Sequence, residues 1–344
     1  SLGDTIVALP GLKLIRKSFP KAEISILTNI PLEKKAPPLG AVISGMGICD
    51  RIVEYPIGLR GDIQLFELYK SLAKERFDLG VNLNPPKSFF RTLRDFVFLK
   101  LCGVRKTIGF PWLKGQIDYR KISKKYFESE TERILRCISS LGKVDLRNRF
   151  WWDLELKISE TEFAEKCFQS LNPDAKTICV CPGTKIPCKD WEPENWNKFI
   201  QLLKIEFGKC NLIGMGSSEE AQRVETLFQN WPGKTLNLAG KASPRESAAV
   251  LKKAQLYIGH DSGPMHLASS VGTPCVAIFS SRNLPGVWFP IGMQHSILYN
   301  FVKCRNCELE ICQYFNKQCI LGIEPEKVLG AAKDLLNHPY AIPR

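Results

Sequence analysis

The stretch GHDSGPMHLASSVGTP, residues 259–274, decides how this chain is read. It lies between AQLYI (254–258) and PCVAIF (274–279), two short apolar runs suited to buried strands, so the segment reads as strand, turn, helix, strand. Ser262 can cap the helix with its hydroxyl, Pro264 fits the first turn because it has no N–H to lose, and Gly272 can end the helix in a left-handed conformation. The free amides at such a helix start carry the positive end of the helix dipole and make an anion site. Gly263, with no side chain, lets a phosphate come close. An ordinary α/β crossover needs the same capping residues without any ligand, so the rest of the chain must choose between the two readings.

Outward from that stretch the pattern repeats. TICVCPG, KCNLIGMG, AQLYIGH and PCVAIFS read as strands, and WNKFIQLLKIEFG, SSEEAQRVETLF and ESAAVLKKA as helices between them. The first half has the same rhythm: TIVALPGLKLIRKSF and LFELYKSLAKERF as helices, AEISILTN and DLGVNLN as strands. Alternation of this kind predicts parallel sheets covered on both faces by helices. The expected fold is therefore α/β, with two Rossmann-like doubly wound domains on either side of residues 151–175 and a cleft between them. Ligands are expected beyond the carboxyl ends of the strands. PEKVLGAAKDLLNH closes the chain as a helix.

Composition narrows the class. A chain of 344 residues with 44% hydrophobic and 24% charged residues is long enough for two globular domains. No apolar run approaches the roughly 18 residues that span a bilayer, and no signal peptide is visible. The chain starts at Ser1 rather than Met, which leaves room for upstream residues. Nine of the thirteen cysteines are scattered through apolar or mixed segments, which suits a reducing cytoplasm better than a disulfide framework. Of the net charge of +13, residues 1–150 hold 27 Lys and Arg against 15 Asp and Glu, leaving 21 against 20 for the remainder. Runs such as KKAPP and RKISKK are single solvated patches, but a field summed over half the chain favours an anionic partner. That half lacks an aromatic stacking platform, a helix-turn-helix signal and a zinc-finger spacing, so nucleic acid is disfavoured. GMGSSE (214–219) lacks the third glycine of a dinucleotide fingerprint, and no P-loop is present.

Three loops at expected strand ends suit a nucleoside diphosphate. CPGTKIPCKDW (181–191) brings Thr184, Lys185 and Lys189; GMGSSEE brings Glu219 and Glu220, whose carboxylates can accept from ribose hydroxyls; HDSGPMH brings amides, Asp261, Ser262 and His266. Together with SLGDTIVALPGLKLIRKSFP and LAGKASPRESAAVLKKAQLYIGHDSGPMHLASSVGTPCVAIF, these stretches resemble the ADP-heptose:lipopolysaccharide heptosyltransferases of glycosyltransferase family nine, from residue 1 to about 325.

The resemblance implies a GT-B architecture: residues 1–155 as the acceptor domain, 176–325 as the nucleotide-sugar domain, and 326–344 as a terminal helix and tail. It implies inverting transfer from a nucleotide-sugar such as ADP-heptose to an anionic saccharide-lipid acceptor, with no metal or cofactor required for catalysis. The enzyme would be cytoplasmic and peripheral on the inner membrane. Asp4 matches the family's catalytic base, with a helix N-cap as its alternative role. Thr184 and Lys189 match the phosphate-binding loop, Asp261 lies near the nucleotide, and His266 either donates to phosphate or packs in the core. The chain departs from the family at His260, where asparagine is usual, at Asp190, where a basic residue is common, and in FSSRNLPGVWFP (279–290). Alternatives are a sugar-nucleotide epimerase or hydrolase on the same fold, or a basic anion-binding protein without catalysis.

CRNCELEICQYFNKQC (304–319) spaces Cys304, Cys307, Cys312 and Cys319 as C-x2-C-x4-C-x6-C. Four thiolates can hold a structural zinc; an iron–sulfur site or local disulfides are the other readings.

Overall fold

The computed structural model describes residues 2–30, 37–56, 62–85, 88–313 and 315–337. Part of the KKAPP run and the tail beyond Asn337 lie outside the described residues. The chain divides into two compact units, Ser1–Ile6 with Trp152–Arg344, and Val7–Trp151. That division differs from the expected boundaries in two respects. The first six residues group with the C-terminal unit, and the cut falls at Trp151 and Trp152. The helix Ile158–Gln169 already belongs to the C-terminal unit, where Glu160 pairs with the buried Arg245 at 2.5 Å and 3.0 Å.

The C-terminal unit is one six-stranded parallel sheet built from β5 (Thr177–Cys181), β6 (Asn211–Gly214), β7 (Thr235–Asn237), β8 (Leu256–His260), β9 (Cys275–Phe279) and β10 (His295–Tyr299). Its strand order is β10-β9-β8-β5-β6-β7. Read from β7, that is the doubly wound order 3-2-1-4-5-6, whose direction reverses between β5 and β8. Every residue of β5, β6, β8 and β9 is buried, as expected when helices cover both faces. The core holds Trp191, Trp196 and Phe199 against Ile178, Leu212 and Ile258, and Val328 and Ala332 of the terminal helix Pro325–Asn337 complete it. That helix is part of the core of the C-terminal unit rather than an appendage. The helix Pro244–Lys253 starts with a full capping box: Ser243 accepts from the Glu246 amide at 3.2 Å, and the Glu246 carboxylate accepts from the Ser243 amide at 2.8 Å.

The N-terminal unit is less regular. Among the described residues its strands form two parallel pairs, β1 (Ser25–Ile30) with β2 (Arg51–Pro56) and β3 (Leu79–Val81) with β4 (Lys106–Ile108), where a doubly wound sheet was expected. Their residues are half-buried or exposed. The helix Glu130–Cys137 docks on the first helix through Thr131, whose hydroxyl donates to the Val7 carbonyl at 2.8 Å. Arg133 is buried and satisfied by both oxygens of Glu130, at 2.8 Å and 2.7 Å.

Candidate functional site

β5 and β8 flank the point where the sheet reverses, and in this topology ligands bind beyond the carboxyl ends of such strands. The loop after β5 carries Thr184, half-buried, and Lys185, exposed, before a single 3-10 turn, Pro187–Lys189. The loop after β8 carries Asp261 and Ser262 into the helix Gly263–Ser270. The two loops meet in a buried ion pair: Lys189 Nζ donates to Asp261 Oδ2 at 2.5 Å and to the Asp261 carbonyl at 3.2 Å. Two of the three ammonium donors are thereby used.

The two histidines of the motif are buried and neutral, but they do different things. Trp191 N–H donates to His260 Nε2 at 3.1 Å, so the ring proton sits on Nδ1 and donates to the Gly183 carbonyl at 3.2 Å. His260 therefore ties the β5 loop to the end of β8, using one ring nitrogen as acceptor and the other as donor. Burial lowers its pKa to about 4. Burial likewise lowers His266 to about 4, although Asp261, 4.0 Å from its Nε2, pulls the other way. Its Nδ1 is buried with no partner, and Trp288 meets the ring edge-on at 6.1 Å. The residues 279–290 thus reach His266 through Trp288, which no motif in the sequence marks.

Ser262 corrects one expectation. It stands at the N-cap with extended backbone, but its hydroxyl makes no cap hydrogen bond and is buried beside the Tyr257 hydroxyl and the Cys181 thiol. Pro264 in the first turn and Gly272 at φ +90° do what was expected of them. Gly263 is needed for a further reason: a Cβ there would lie 2.8 Å from that of Leu2, and one on Gly3 would lie 3.0 Å from His266 Cδ2. The chain start is thus laid directly on the start of the Gly263–Ser270 helix. The first helix runs Leu2–Ser18, so Asp4 is exposed within its first turn and is not its N-cap.

Elsewhere, Glu219 is exposed, and Glu220 is the carboxylate that turns inward. Glu220 Oε2 accepts from the Ser217 amide at 2.6 Å and its hydroxyl at 3.1 Å, and a Cβ on Gly183 or Gly216 would collide with its side chain. Asp190 accepts a two-pronged bond from Arg223 at 2.8 Å and 3.0 Å. Burial pushes its pKa up, but the Arg223 guanidinium outweighs that and holds it below the usual carboxylate range.

The sequence model of glycosyltransferase family 9 (heptosyltransferase) matches residues 65–317. The chain belongs to glycosyltransferase family 9. It is 23% identical to lipopolysaccharide heptosyltransferase 2 of Escherichia coli, over 97% of this chain and 96% of that one. Its fold is shared with a family 9 glycosyltransferase structure from Veillonella parvula, at TM-score 0.74 and 20% identity over 98% and 95% of the two chains. It is also shared with an E. coli heptosyltransferase solved with ADP-2-deoxy-2-fluoro heptose, at TM-score 0.62 and 15% identity over 97% and 96%. This family 9 glycosyltransferase has no helix long and apolar enough to cross a membrane among its described residues.

The cysteine cluster of this family 9 chain folds beside the site. Cys304, Cys307, Cys312 and Cys319 line one small cavity, joined there by Cys188 from the turn that carries Lys189. None of the thirteen cysteines is in a disulfide, so the local-disulfide reading does not hold in this structure.

Proposed function

We propose that this glycosyltransferase moves a heptose from ADP-heptose to a lipopolysaccharide-type acceptor, with inversion at the anomeric carbon and without a catalytic metal. The observation that carries this reading is the convergence at the β5–β8 switch point. Lys189, the amides at Gly263 and the buried Ser262 hydroxyl gather there, and the turn bearing Asp4 lies against the same helix start. Donor diphosphate oxygens would accept from those amides, from Ser262 Oγ and from the remaining Lys189 proton, and Thr184 and Lys185 would flank them. His266, neutral at pH 7, can offer a phosphate an N–H but no charge. Glu220 is better placed than Glu219 to set the loop under the ribose.

The reaction follows from those placements. Asp4 takes the proton from an acceptor hydroxyl as that oxygen attacks the anomeric carbon. The bond to the diphosphate breaks, and Lys189 with the helix amides offsets the charge growing on the leaving phosphate. The heptose and the lipopolysaccharide acceptor rest on the named relative and on the ADP-2-deoxy-2-fluoro heptose in the E. coli neighbour.

An anionic membrane surface suits the N-terminal unit. The helix Phe89–Leu101 turns Phe90, Leu93, Val97 and Leu101 outward, with Arg91, Arg94 and Lys100 exposed beside them. That spacing is one helical face, and apolar side chains framed by cations are what a lipid surface with acidic head groups takes up.

The test is a transfer assay with ADP-heptose, UDP-sugars and GDP-sugars against heptose-deficient lipopolysaccharide. The reading expects ADP release coupled to acceptor elongation with ADP-heptose alone. ADP release without acceptor dependence would make the protein a hydrolase, and conversion of the free nucleotide-sugar would make it an epimerase.

A further inference from the structure

Tyr257 sits in β8, fully buried, and the strands around it make room for its ring. In the parallel register it stands beside Cys179 of β5 and Cys275 of β9. The next position on the same face of β8 is Gly259, flanked by Cys181 and Ala277. All five neighbours are small. A Cβ on Gly259 would collide with the Tyr257 hydroxyl oxygen, so the ring lies along the strand toward its carboxyl end. There the phenol oxygen meets the Cys181 thiol and the Ser262 hydroxyl, and both oxygens are shut off from solvent.

A ring that only packed in this sheet would do so as well without its oxygen. Carrying a hydroxyl into an apolar interior costs free energy, whereas an apolar group of the same shape is tolerated at little or no cost. What the hydroxyl reaches is the turn between β8 and the Gly263–Ser270 helix. Ser262 is not spent on that helix: Pro264 has no N–H to be capped, and the Met265 amide donates to the Ser262 carbonyl at 3.1 Å.

We propose that Tyr257 is a positioning residue for the donor: its hydroxyl donates to Ser262 Oγ and so orients the Ser262 proton and the Gly263 amide toward the diphosphate. The proposal rests on the reading that this helix start holds the donor. A hydroxyl has one proton and two lone pairs. With Oγ accepting from Tyr257 inside the sheet, the Ser262 proton points out of it, where a phosphate oxygen can accept it. Burial pushes the Cys181 thiol up to about 12, so it stays protonated and adds a further donor to the row. Hydrogen bonds in such a row polarise one another, and donors fixed in advance need not be ordered when the phosphate binds.

The test compares Tyr257→Phe, Ser262→Ala and the double variant, with ADP and inorganic pyrophosphate as calorimetric probes. Tyr257→Phe keeps the ring, so its Tm should stay within a few degrees of the unmutated chain. Its affinity for both probes should fall by roughly 3- to 10-fold, the size of one neutral hydrogen bond. Because Tyr257 acts through Ser262, the double variant should bind no more weakly than Ser262→Ala alone. Unchanged affinity in Tyr257→Phe, or losses that multiply in the double variant, would overturn the proposal. A Tm lowered by 10 °C or more in Tyr257→Phe, with affinity kept, would make the hydroxyl a stability element and overturn it too. Pyrophosphate has neither base nor sugar, so these outcomes do not depend on which nucleotide-sugar is used. An unmutated chain that binds neither probe would remove the donor-site reading and this proposal together, whereas pyrophosphate binding indifferent to Tyr257→Phe removes the proposal alone.

Discussion

The two units of this chain solve the problem of burying a parallel sheet in opposite ways. In the C-terminal unit β5, β6, β8 and β9 are buried at every residue, and the sheet is continuous over six strands. In the N-terminal unit the strands among the described residues pair two by two, and the helix Phe89–Leu101 leaves Phe90 80% and Leu101 66% exposed. The first unit spends its apolar residues on its own core and carries almost no net charge. The second leaves apolar side chains outside and holds nearly all of the excess of Lys and Arg. An interior closed on itself suits a preorganised anion site. An exterior both greasy and cationic suits contact with something large and acidic.

That contrast can be broken or sharpened by measurement. The largest effect is expected from Phe199→Ala, which empties a fully buried position beside Trp191 and Trp196. It should destabilise the C-terminal unit by about 3–5 kcal/mol in denaturant unfolding. A loss below about 1 kcal/mol would mean that this core is looser than its burial implies.

A smaller effect is expected from pH. His260 and His266 are held neutral in the folded chain with pKa values of about 4, whereas in the unfolded chain they protonate near the ordinary value of about 6.5. The unfolded state therefore binds more protons between those values, and stability must fall as pH is lowered from 6.5 toward 4. The full slope is roughly 1.4 kcal/mol per pH unit for each histidine. His260→Asn should flatten that slope, and a stability curve level from pH 7.5 to 5 would show that neither histidine is buried neutral. The smallest effect on stability should come from Phe90→Ser, within about 0.5 kcal/mol because the ring is already exposed. The same change should weaken binding to vesicles rich in acidic lipid, and unaltered vesicle binding would remove this face from the membrane reading.

The sequence made the C-terminal unit legible because long buried strands alternate with amphipathic helices there, and four of its six strands lie where the pattern puts them. β7 has only three residues, and β10 follows an irregular stretch, so neither showed a period of its own. In the N-terminal unit β2 ends in Pro56 and β4 has three residues, so neither carries a strand pattern of its own. The site was legible as motifs and opaque as contacts. Nothing in SGPMH says that Lys189 is already paired with Asp261, that the Ser262 hydroxyl does not cap, or that Gly263 is glycine because Leu2 lies on it. Glu219 and Glu220 are adjacent, and only the turn at Ser217 determines which faces inward. These are consequences of packing between segments far apart in sequence, which periodicity does not carry.

The central claim is that Asp4, on the turn laid against the Gly263–Ser270 helix, acts as the base while the donor is held by that helix and Lys189. Asp4→Asn tests it most directly when steady-state turnover and ADP-heptose affinity are measured on the same preparation. The amide cannot take the proton, so turnover should fall by roughly 10²- to 10⁴-fold. Stability should drop by no more than about 1 kcal/mol, the worth of a carboxylate in a first helical turn. Because Asp4 groups with the C-terminal unit, removing its charge should leave donor affinity unchanged or raise it, since a carboxylate beside a diphosphate repels it. Turnover within a few-fold of the unmutated enzyme, in a variant that stays folded and binds donor, would contradict the account.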